Sequence, residues 1–438
     1  MQAYNPFASR SFRIVVWIPV ALALLAGCAA DPPVERGARE GLPPDAPEEI
    51  LSWRHRILPR EDYARLAEEW EQFAIDHPRS VRALVEWGDA LRYSGRSEEA
   101  KSAYARAFRL DSTHAAAIAA HVANVLIHEF DAADWDLAHD RLVRAVDADP
   151  SYAETYYPLW SVALQRGDDD LAARSLRSMV EVGDMPRPLF DCGYNMIAGS
   201  PRDAIILTNG DNDTYPPLAV QAVLGTRPDV AIVNLSLLNT KVYLRHLRDR
   251  GIPFGWSEEE IERLEHGPAG RIGEQAQRRL HERLEAEGWP RSLFYSVTVP
   301  AGNRALPARG KLEGLLHRIA PIPDSAPAPE EGECDLDRTR LLFDAFYRID
   351  SMTDPLIDWE RESGVARLGM NYAALLAKVG NGLLDQDPAE PGGRYLHRAV
   401  SILAFHGNRA AAREVLEEWE RRDPDSPLLA RSRSLLDS

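Results

Sequence analysis

The sequence predicts a mixed α and α/β protein in which helical hairpins flank a small α/β domain with parallel strands. Three observations support this fold class. One spacing of turn and small residues recurs before residue 185 and again after residue 400. Two short apolar runs with a helix-like stretch between them lie in the middle of the chain. Beyond residue 48, no segment is apolar over the roughly 20 residues that a membrane span needs.

The N-terminus carries the pattern of a secretion and lipidation signal. Two arginines precede the apolar run 14–25, and the small residues Leu-Ala-Gly then lead to Cys28. A basic start, a short apolar run and small residues are typical of a secretory signal, and the cysteine supplies the thiol that a lipid anchor requires. We predict a signal peptide at 1–27, a lipid on Cys28, and a flexible tether at 28–48 that is rich in Pro, Gly and charge.

The anchor also predicts where the protein resides. Ala29 follows the lipidated position, which in such lipoproteins favours the outer membrane over retention at the inner one. We therefore expect a lipid-anchored envelope protein that faces the periplasm. An ordinary signal peptide that happens to contain a cysteine is the alternative.

Composition limits the partners and the cysteine chemistry. The formal charge is -17, from 68 acidic and 51 basic residues. Such a surface disfavours nucleic acid and anionic lipid headgroups as partners. Cys192 and Cys334 either form one disulfide in an oxidising compartment or stay free. Without nearby paired histidines they make a poor zinc site, and we predict no cofactor.

The recurring spacing is that of a tetratricopeptide repeat, in which a turn residue is followed at fixed intervals by two packing positions and a helix terminator. A half-repeat with Leu66, Phe73 and Pro78 comes first, and the full copies are Gly95, Ala100, Ala107 and Ser112, then Ala133, Ala138, Ala145 and Pro150, then Gly167, Ala172, Met179 and Asp184. Near the C-terminus the spacing recurs at Gly407, Ala412, Trp419 and Pro424. Unrelated amphipathic helices are the alternative interpretation of both regions.

These copies predict a repeat array at 49–185 and a degenerate, tetratricopeptide-like helical region at 335–438. The pair Trp87-Gly88 supports the first array, because a glycine beside a large residue lets two helices approach closely. Stacked repeats leave a concave groove that commonly binds peptides or partner proteins. The array therefore predicts binding and not catalysis.

Between the helical regions, the apolar runs 204–207 and 230–233 flank a helix-like stretch at 218–224. This order predicts a strand, helix, strand unit in an α/β domain at 186–325. Parallel strands joined by a helix place ligands at their carboxyl ends. The polar stretches 209–217 and 234–240 follow the two strands, so they are the candidate site.

The sequence Gly-Asp-Asn-Asp-Thr-Tyr-Pro after the first strand has three interpretations. It is a structural turn in which Asp213 or Thr214 caps a helix and a proline occupies the first turn. Alternatively, Asp211 and Asp213 hold Mg²⁺ or Mn²⁺ with a phosphate, as a D-x-D pair does. In the third, the loop recognises a sugar or peptide through hydrogen bonds. The candidate ligand-binding residues are Asn209, Asp211, Asn212, Asp213, Thr214 and Tyr215.

Other polar residues receive structural interpretations. Four histidines in helix-like polar segments are predicted to be surface or satisfied residues: His246, His266, His281 and His317. The stretch 257–288 alternates acids and bases at helical spacing, which predicts a solvated helical pair. Residues 320–332, rich in Pro and Glu, are predicted to be a linker.

The run ILTNGDNDTYPPLAVQAVLGTRPDVAIVNLSLLNTKVYLRHL resembles the soluble C-terminal part of polytopic bacterial membrane proteins related to protein O-mannosyltransferases. The resemblance covers about residues 190–400 and is specific in its GDNDTYP and VNLSLLNT blocks. The membrane portion, which carries the family's lipid-linked sugar site and catalytic acid, has no counterpart in this sequence. The resemblance therefore implies a soluble domain whose role in that family is undefined, without transferase activity.

Together these observations predict a membrane-anchored lipoprotein that acts as a binding or scaffold module for a protein or glycan partner in the cell envelope. No catalytic residue is predicted. The alternative is a metal-dependent glycosyl- or phosphoryl-group enzyme that uses Asp211 and Asp213.

Overall fold

The computed structural model describes residues 43–128, 133–268, 270–306, 310–321, 333–386 and 392–437. The predicted signal peptide, the lipidation site Cys28, tether residues 28–42 and most of the predicted linker 320–332 lie outside the described residues. From residue 43 onward, the described chain belongs to one compact unit.

The first part of the described chain is helical. Its α-helices are α1 Arg60–Asp76, α2 Val81–Ser94, α3 Ser97–Leu110, α4 Ala115–His128, α5 Trp135–Ala148, α6 Tyr156–Arg166, α7 Asp169–Glu181 and α8 Arg187–Ala198. Helices α2 and α3, α4 and α5, and α6 and α7 form three successive hairpins at the places where the repeat spacing predicts them.

The packing positions of the hairpins are buried as the spacing predicts. Ala100 and Ala107 on α3 are fully buried, and so is Met179 on α7. The turn glycines Gly95 and Gly167 have φ of 86° and 66°, a left-handed conformation that ends a helix at little cost only for glycine. These contacts confirm tetratricopeptide-like hairpins in this part of the chain.

The prediction for Gly88 is also confirmed. A Cβ on Gly88 would lie 2.3 Å from a ring carbon of Tyr104 on α3. The absent side chain therefore makes room for the tyrosine ring where α2 and α3 meet. The Tyr104 hydroxyl then donates a hydrogen bond of 2.7 Å to Asp89.

A mixed five-stranded sheet follows the array. Its strands are β1 Ile205–Thr208, β2 Ala231–Asn234, β3 Leu293–Ser296, β4 Leu312–Glu313 and β5 Leu316–Ala320, in the order β2-β1-β3-β5-β4. Strands β1, β2 and β3 are parallel, as predicted for the first two. Strand β5 pairs antiparallel with β3, and β4 pairs antiparallel with β5 at the edge of the sheet. The apolar pattern does not reveal this hairpin.

Helix α9, Asp211–Leu224, connects β1 to β2. It begins seven residues earlier than the predicted start at residue 218, so most of the predicted loop 209–217 is helical. Pro216 and Pro217 lie inside this helix, where they remove backbone donors and do not occupy its first turn. The sequence prediction failed here because a proline is normally tolerated only in the first turn of a helix.

Helices cover both faces of the sheet, which explains why β1 and β3 are buried on both sides. The helices on the face of the sheet opposite α8 and α9 are α10 Lys241–Asp249, α11 Glu258–Glu262 and α12 Ile272–Ala286. The prediction of a solvated pair at 257–288 is wrong for α12, which packs Ala276, Leu280 and Leu284 into the core of that side.

The C-terminal helices are α13 Leu336–Ala345, α14 Ser363–Gln386, α15 Gly392–Phe405, α16 Arg409–Arg422 and α17 Leu429–Asp437. Ala412 and Trp419 on α16 are fully buried, and Gly407 has a φ of 72° between α15 and α16. The spacing therefore predicts this hairpin correctly. The C-terminal helices share one hydrophobic core with the array and with one face of the sheet.

Two further properties concern the described residues as a set. No helix within them is long and apolar enough to cross a membrane. Cys192 and Cys334 are both free thiols, so of the two states left open by the sequence the structure has the unpaired one.

The approach of α8 to α9 gives the first prediction. A Cβ on Gly193 would lie 2.4 Å from the Pro216 carbonyl carbon and 2.5 Å from the Pro217 nitrogen. Both atoms are backbone, so Gly193→Ala must push the helices apart. We expect a loss of about 1–3 kcal/mol in the free energy of unfolding, measured by urea denaturation, although alanine favours a helix by about 1 kcal/mol.

Gly302→Ala is the matched control, because a Cβ there meets no atom within 4 Å. It should change stability by less than about 0.5 kcal/mol. Equal stability of the two variants would contradict the close packing of α8 on α9.

Candidate functional site

The carboxyl ends of β1, β2 and β3 bring the predicted polar residues to one edge of the sheet. Asp213 is buried there and accepts hydrogen bonds of 2.8 Å from the backbone N–H groups of Asn209 and Gly210. The hydroxyl of Thr298, which follows β3, also donates to this carboxylate. Burial raises the pKa of Asp213, while these hydrogen bonds oppose the rise.

The role of Asp213 is therefore structural. It is the third residue of α9 and its side chain reaches back to the amides that precede the helix, which otherwise lack partners. The sequence predicts Asp213 or Thr214 as a cap at the helix start. The capping role of Asp213 is confirmed, but it acts from within the helix.

Thr214 and Asn209 also bond to their neighbours at this edge. The Thr214 hydroxyl lies 2.7 Å from that of Thr208 and accepts a hydrogen bond of 2.9 Å from the Asn234 amide. The Asn209 side-chain oxygen accepts one of 2.8 Å from Asn303. These bonds join the ends of β1 and β2 to α9, and so hold the edge rigid.

Asp211, Asn212 and Tyr215 face away from this network. The Asn212 side-chain amide donates a hydrogen bond of 2.9 Å to the backbone oxygen of Arg54, and the Asp211 carboxylate lies 3.5 Å from the Arg54 guanidinium. The Tyr215 ring packs edge-on against Tyr157 at 4.9 Å. The structure thus separates the six candidate residues into an inner group, Asn209, Asp213 and Thr214, and an outer group. Of the outer group, Asp211 and Asn212 contact a segment far away in sequence.

That segment is Glu48–Arg56, which we call the N-terminal segment. It forms neither a helix nor a strand. It contains one turn, in which the His55 amide donates a hydrogen bond of 2.9 Å to the Ser52 backbone oxygen. The array binds the first half of this segment. The Ile50 backbone N–H donates a hydrogen bond of 2.7 Å to the Glu86 carboxylate, and the Trp70 indole N–H donates one of 2.9 Å to the Glu48 backbone oxygen.

Arg54 is the center of the contacts in the second half. Its guanidinium lies 3.5 Å from the center of the Tyr157 ring and 3.8 Å from Asp184, and it also pairs with Glu154 and Asp211. Only 9% of its side chain is exposed. Burial alone would lower the Arg54 pKa, but the surrounding carboxylates raise it well above its ordinary value.

The His55 ring lies between two carboxylates, those of Glu362 and Asp184. Its Nδ1 is 2.8 Å from Glu362 and its Nε2 is 2.9 Å from Asp184. Burial favours the neutral ring, but the hydrogen bonds and charges of the two carboxylates raise the His55 pKa to about 9. His55 is therefore an imidazolium at neutral pH, with both N–H groups donating to carboxylates.

Four carboxylates thus surround the Arg54-His55 pair, and we call them the acidic cluster. They come from four places in the chain: Glu154 precedes α6, Asp184 follows α7, Asp211 begins α9, and Glu362 precedes α14. A backbone hydrogen bond of 2.6 Å, from the Gly364 amide to the His55 oxygen, also joins the segment to α14. The segment consequently joins the array, the α/β region and the C-terminal helices.

Sequence reasoning missed the N-terminal segment as part of any site. Nothing in a single sequence links Arg54-His55 to acids about a hundred or more residues away. The available signal is a run of aromatic and charged residues, Trp53 to Arg56, that has no helical periodicity of its own.

A separate cavity of about 360 Å³ lies between α6 and α7 on one side and α9, β2 and α10 on the other. Its walls include Trp160, Leu176, Leu218 and Leu247, with His246 among its polar residues. Burial, with Arg250 acting in the same direction, lowers the His246 pKa to about 4. His246 is therefore neutral at neutral pH, and its ring stacks on Tyr243 at a centroid distance of 6.2 Å.

The geometry bears on the D-x-D alternative. The Asp213 oxygens accept hydrogen bonds from two amides and Thr298, whereas the exposed Asp211 pairs with Arg54. The two carboxylates therefore serve different partners. Within the described ranges, no three His, Cys, Asp or Glu side chains are arranged to hold a metal ion.

We accordingly expect no rise in melting temperature when Mn²⁺ or Mg²⁺ is added with a nucleotide sugar, measured by differential scanning calorimetry. A rise that is lost in the Asp211→Asn variant, with an unchanged circular dichroism spectrum, would instead favour the metal-dependent enzyme. Asp211 is suited to this test because its side chain is 53% exposed.

The raised pKa of His55 predicts a pH dependence of stability. Its value is about 9 in the folded state against 6.5 for the free group, a difference equivalent to about 3 kcal/mol. Because the folded state binds the proton more tightly, this stabilisation is complete below pH 6.5 and is lost as pH rises through about 9. We expect His55→Gln to be less stable than the parent at pH 6, with the difference shrinking toward pH 10.

Urea unfolding at each pH gives this difference directly. Groups that do not contact His55 change the pH profile of both proteins equally, including Glu86, whose pKa burial raises to about 7. Substitution of the exposed His266 by glutamine serves as the control and should leave the profile unchanged. A constant difference between His55→Gln and the parent over this range would refute the charged state of His55.

The comparisons with known proteins cover parts of the chain. The family model described as TMEM260-associated domain 2 matches residues 189–266, which contain β1, α9, β2 and α10. Two crystal structures of MamA share 19% and 18% identity, cover 44% and 48% of this chain and 92% and 91% of their own, and each has a TM-score of 0.25. No protein with a curated description matches.

A structure of Naa15/Naa10 bound to HypK-THB covers 85% of this chain and 41% of its own, at 14% identity and a TM-score of 0.23. The class of this protein follows from the packing of its own hairpins. It is a tetratricopeptide-like helical protein that also contains a small mixed α/β sheet.

Proposed function

We propose that this protein is a lipid-anchored scaffold of the cell envelope that binds a partner protein through its helical array. The observation that carries the proposal is the way the array holds the N-terminal segment. Residues of α2 and α6, the first helices of their hairpins, bind an irregular peptide through side chains, as Glu86 and Tyr157 do. A repeat array that holds one peptide in this way is suited to hold another along its remaining surface.

An exposed apolar residue on the array gives a position at which a protein partner can be probed. Ile127 on α4, a first helix like α2 and α6, is 60% exposed. Isolated exposed apolar residues are common on any protein, so this residue marks a place to probe and is not itself a site. A glycan is the other class of partner predicted from the sequence.

The location is part of the proposal. The lipoprotein pattern at Cys28 supports attachment to a membrane, and the outer membrane facing the periplasm is the location that Ala29 favours. The net charge of -17 supports a protein partner over nucleic acid or anionic lipid headgroups.

The test is photo-crosslinking in cells with a crosslinking amino acid in place of Ile127. We expect one protein of reproducible mass, identified by mass spectrometry, in the adduct. Leu137 on α5, a second helix, is 40% exposed and is the matched control position that should not give this adduct.

Cys28→Ala tests the anchor in the same cells. The variant should move from the membrane to the soluble fraction and lose the adduct, because the partner is no longer nearby. The proposal is wrong if both positions capture the same abundant proteins. The anchor has no role if Cys28→Ala leaves fractionation and adduct unchanged.

A further inference from the structure

The N-terminal segment has the contacts of a bound peptide ligand. It approaches the array with Ile50 buried against α2 and then turns, so that Arg54 and His55 enter the acidic cluster. Trp53 stacks on Tyr93 at a ring distance of 4.9 Å while half of its surface remains exposed. Each of these contacts joins the segment to a residue outside it.

The acidic cluster is complementary in charge and shape to an Arg-His pair. Arg54 meets three carboxylates and the face of Tyr157, and His55 meets Asp184 and Glu362. A guanidinium above an aromatic ring with carboxylates around it is a strong recognition geometry. Without the segment, the largely buried Asp184 would lose both its Arg54 and its His55 partner, at a large cost.

We infer that the acidic cluster and the adjoining face of α2 form a peptide-binding site that the chain fills with its own N-terminal segment. The partner that this site fits is a protein segment with an aliphatic residue followed four positions later by Arg-His in a turn. This inference rests on the proposed scaffold function, since it names the chemistry of a partner segment. Such a partner must displace residues Glu48–Arg56 to bind.

The N-terminal segment can exchange with a competing peptide, because few contacts hold its C-terminal end to the start of α1. Ile57 is 36% exposed and Pro59 is exposed, and the Tyr63 hydroxyl bridges Arg56 and Leu58 with two hydrogen bonds of 3.2 Å. A protease site inserted after Ile57 would therefore be accessible. Cleavage there would leave the segment bound only through noncovalent contacts.

The experiment uses the full chain in detergent, with a site-specific protease sequence after Ile57. A fluorescein-labelled peptide of residues 44–57 is added before and after cleavage, and binding is followed by fluorescence anisotropy. We expect one peptide to bind per cleaved chain and binding to the uncut chain to be at least about 30-fold weaker, because the tethered segment competes at high effective concentration.

Variant peptides test the recognition. A peptide with Arg54→Ala and His55→Ala should bind at least about 30-fold more weakly, as expected for loss of buried charged partners. Arg56→Ala is the matched control peptide and should bind within a few-fold of the parent, because Arg56 pairs with Glu48 inside the segment. In the protein, the Glu362→Gln substitution should weaken binding of the parent peptide.

Three results would overturn the inference. Equal binding to cut and uncut chains would place the peptide elsewhere, and equal binding of the Arg54→Ala, His55→Ala peptide would exclude the acidic cluster. Loss of the circular dichroism signal on cleavage, without recovery on adding peptide, would show that the segment is only a folding element.

A further result would support the site and identify its occupant. Concentration-dependent dimers of the uncut chain in light scattering, abolished by Arg54→Ala, would make the occupant the segment of a second copy. Crosslinking at Ile127 reports on partners in cells independently of this exchange. Failure of one experiment therefore does not decide the other.

Discussion

The fold depends on charge compensation at a buried junction. Arg54 and His55 carry two positive charges into a place where Asp184 and Glu362 are almost wholly buried. Removing charges from water costs several kcal/mol for each ion, and the cost is recovered only when every charge has a close partner and every polar atom a hydrogen bond. Asp184 meets this condition fully, since it contacts His55, Arg54 and the Tyr157 hydroxyl. These charges lower the Asp184 pKa below its usual range, although burial opposes them.

This junction also explains the polar sequence that follows β1. A conspicuous polar stretch at the carboxyl end of a parallel strand suggests a ligand site by general experience with α/β folds. In this protein the stretch has two structural tasks. Asp213 and Thr214 secure the start of α9 on the sheet, and Asp211 and Asn212 meet the N-terminal segment. The polar groups of Asp211, Asp213 and Thr214 all have partners within the chain.

Local and periodic features of the structure could be predicted from the sequence. The hairpin spacing places Ala100, Ala107 and Trp419 correctly because helix packing repeats along the chain. The two apolar runs predict β1 and β2 because short buried strands are apolar on both faces. The start of α9 was predicted wrongly because Pro216 and Pro217 are tolerated where Gly193 lets α8 pack against them, a tertiary effect. The acidic cluster could not be found, because its members lie far apart in sequence and no period relates them.

The order of the segment along the chain has a consequence for folding. His55 is bonded to Asp184 and Glu362, which lie 129 and 307 residues later in the chain. Contacts over such distances form late, since a long loop must close first. During synthesis the Arg-His pair emerges among the earliest residues, and its last partner emerges only after most of the chain is complete. The N-terminal segment is thus made early and its contacts are completed late, so a chain that stops before Glu362 lacks one of the two carboxylates that bind the His55 ring.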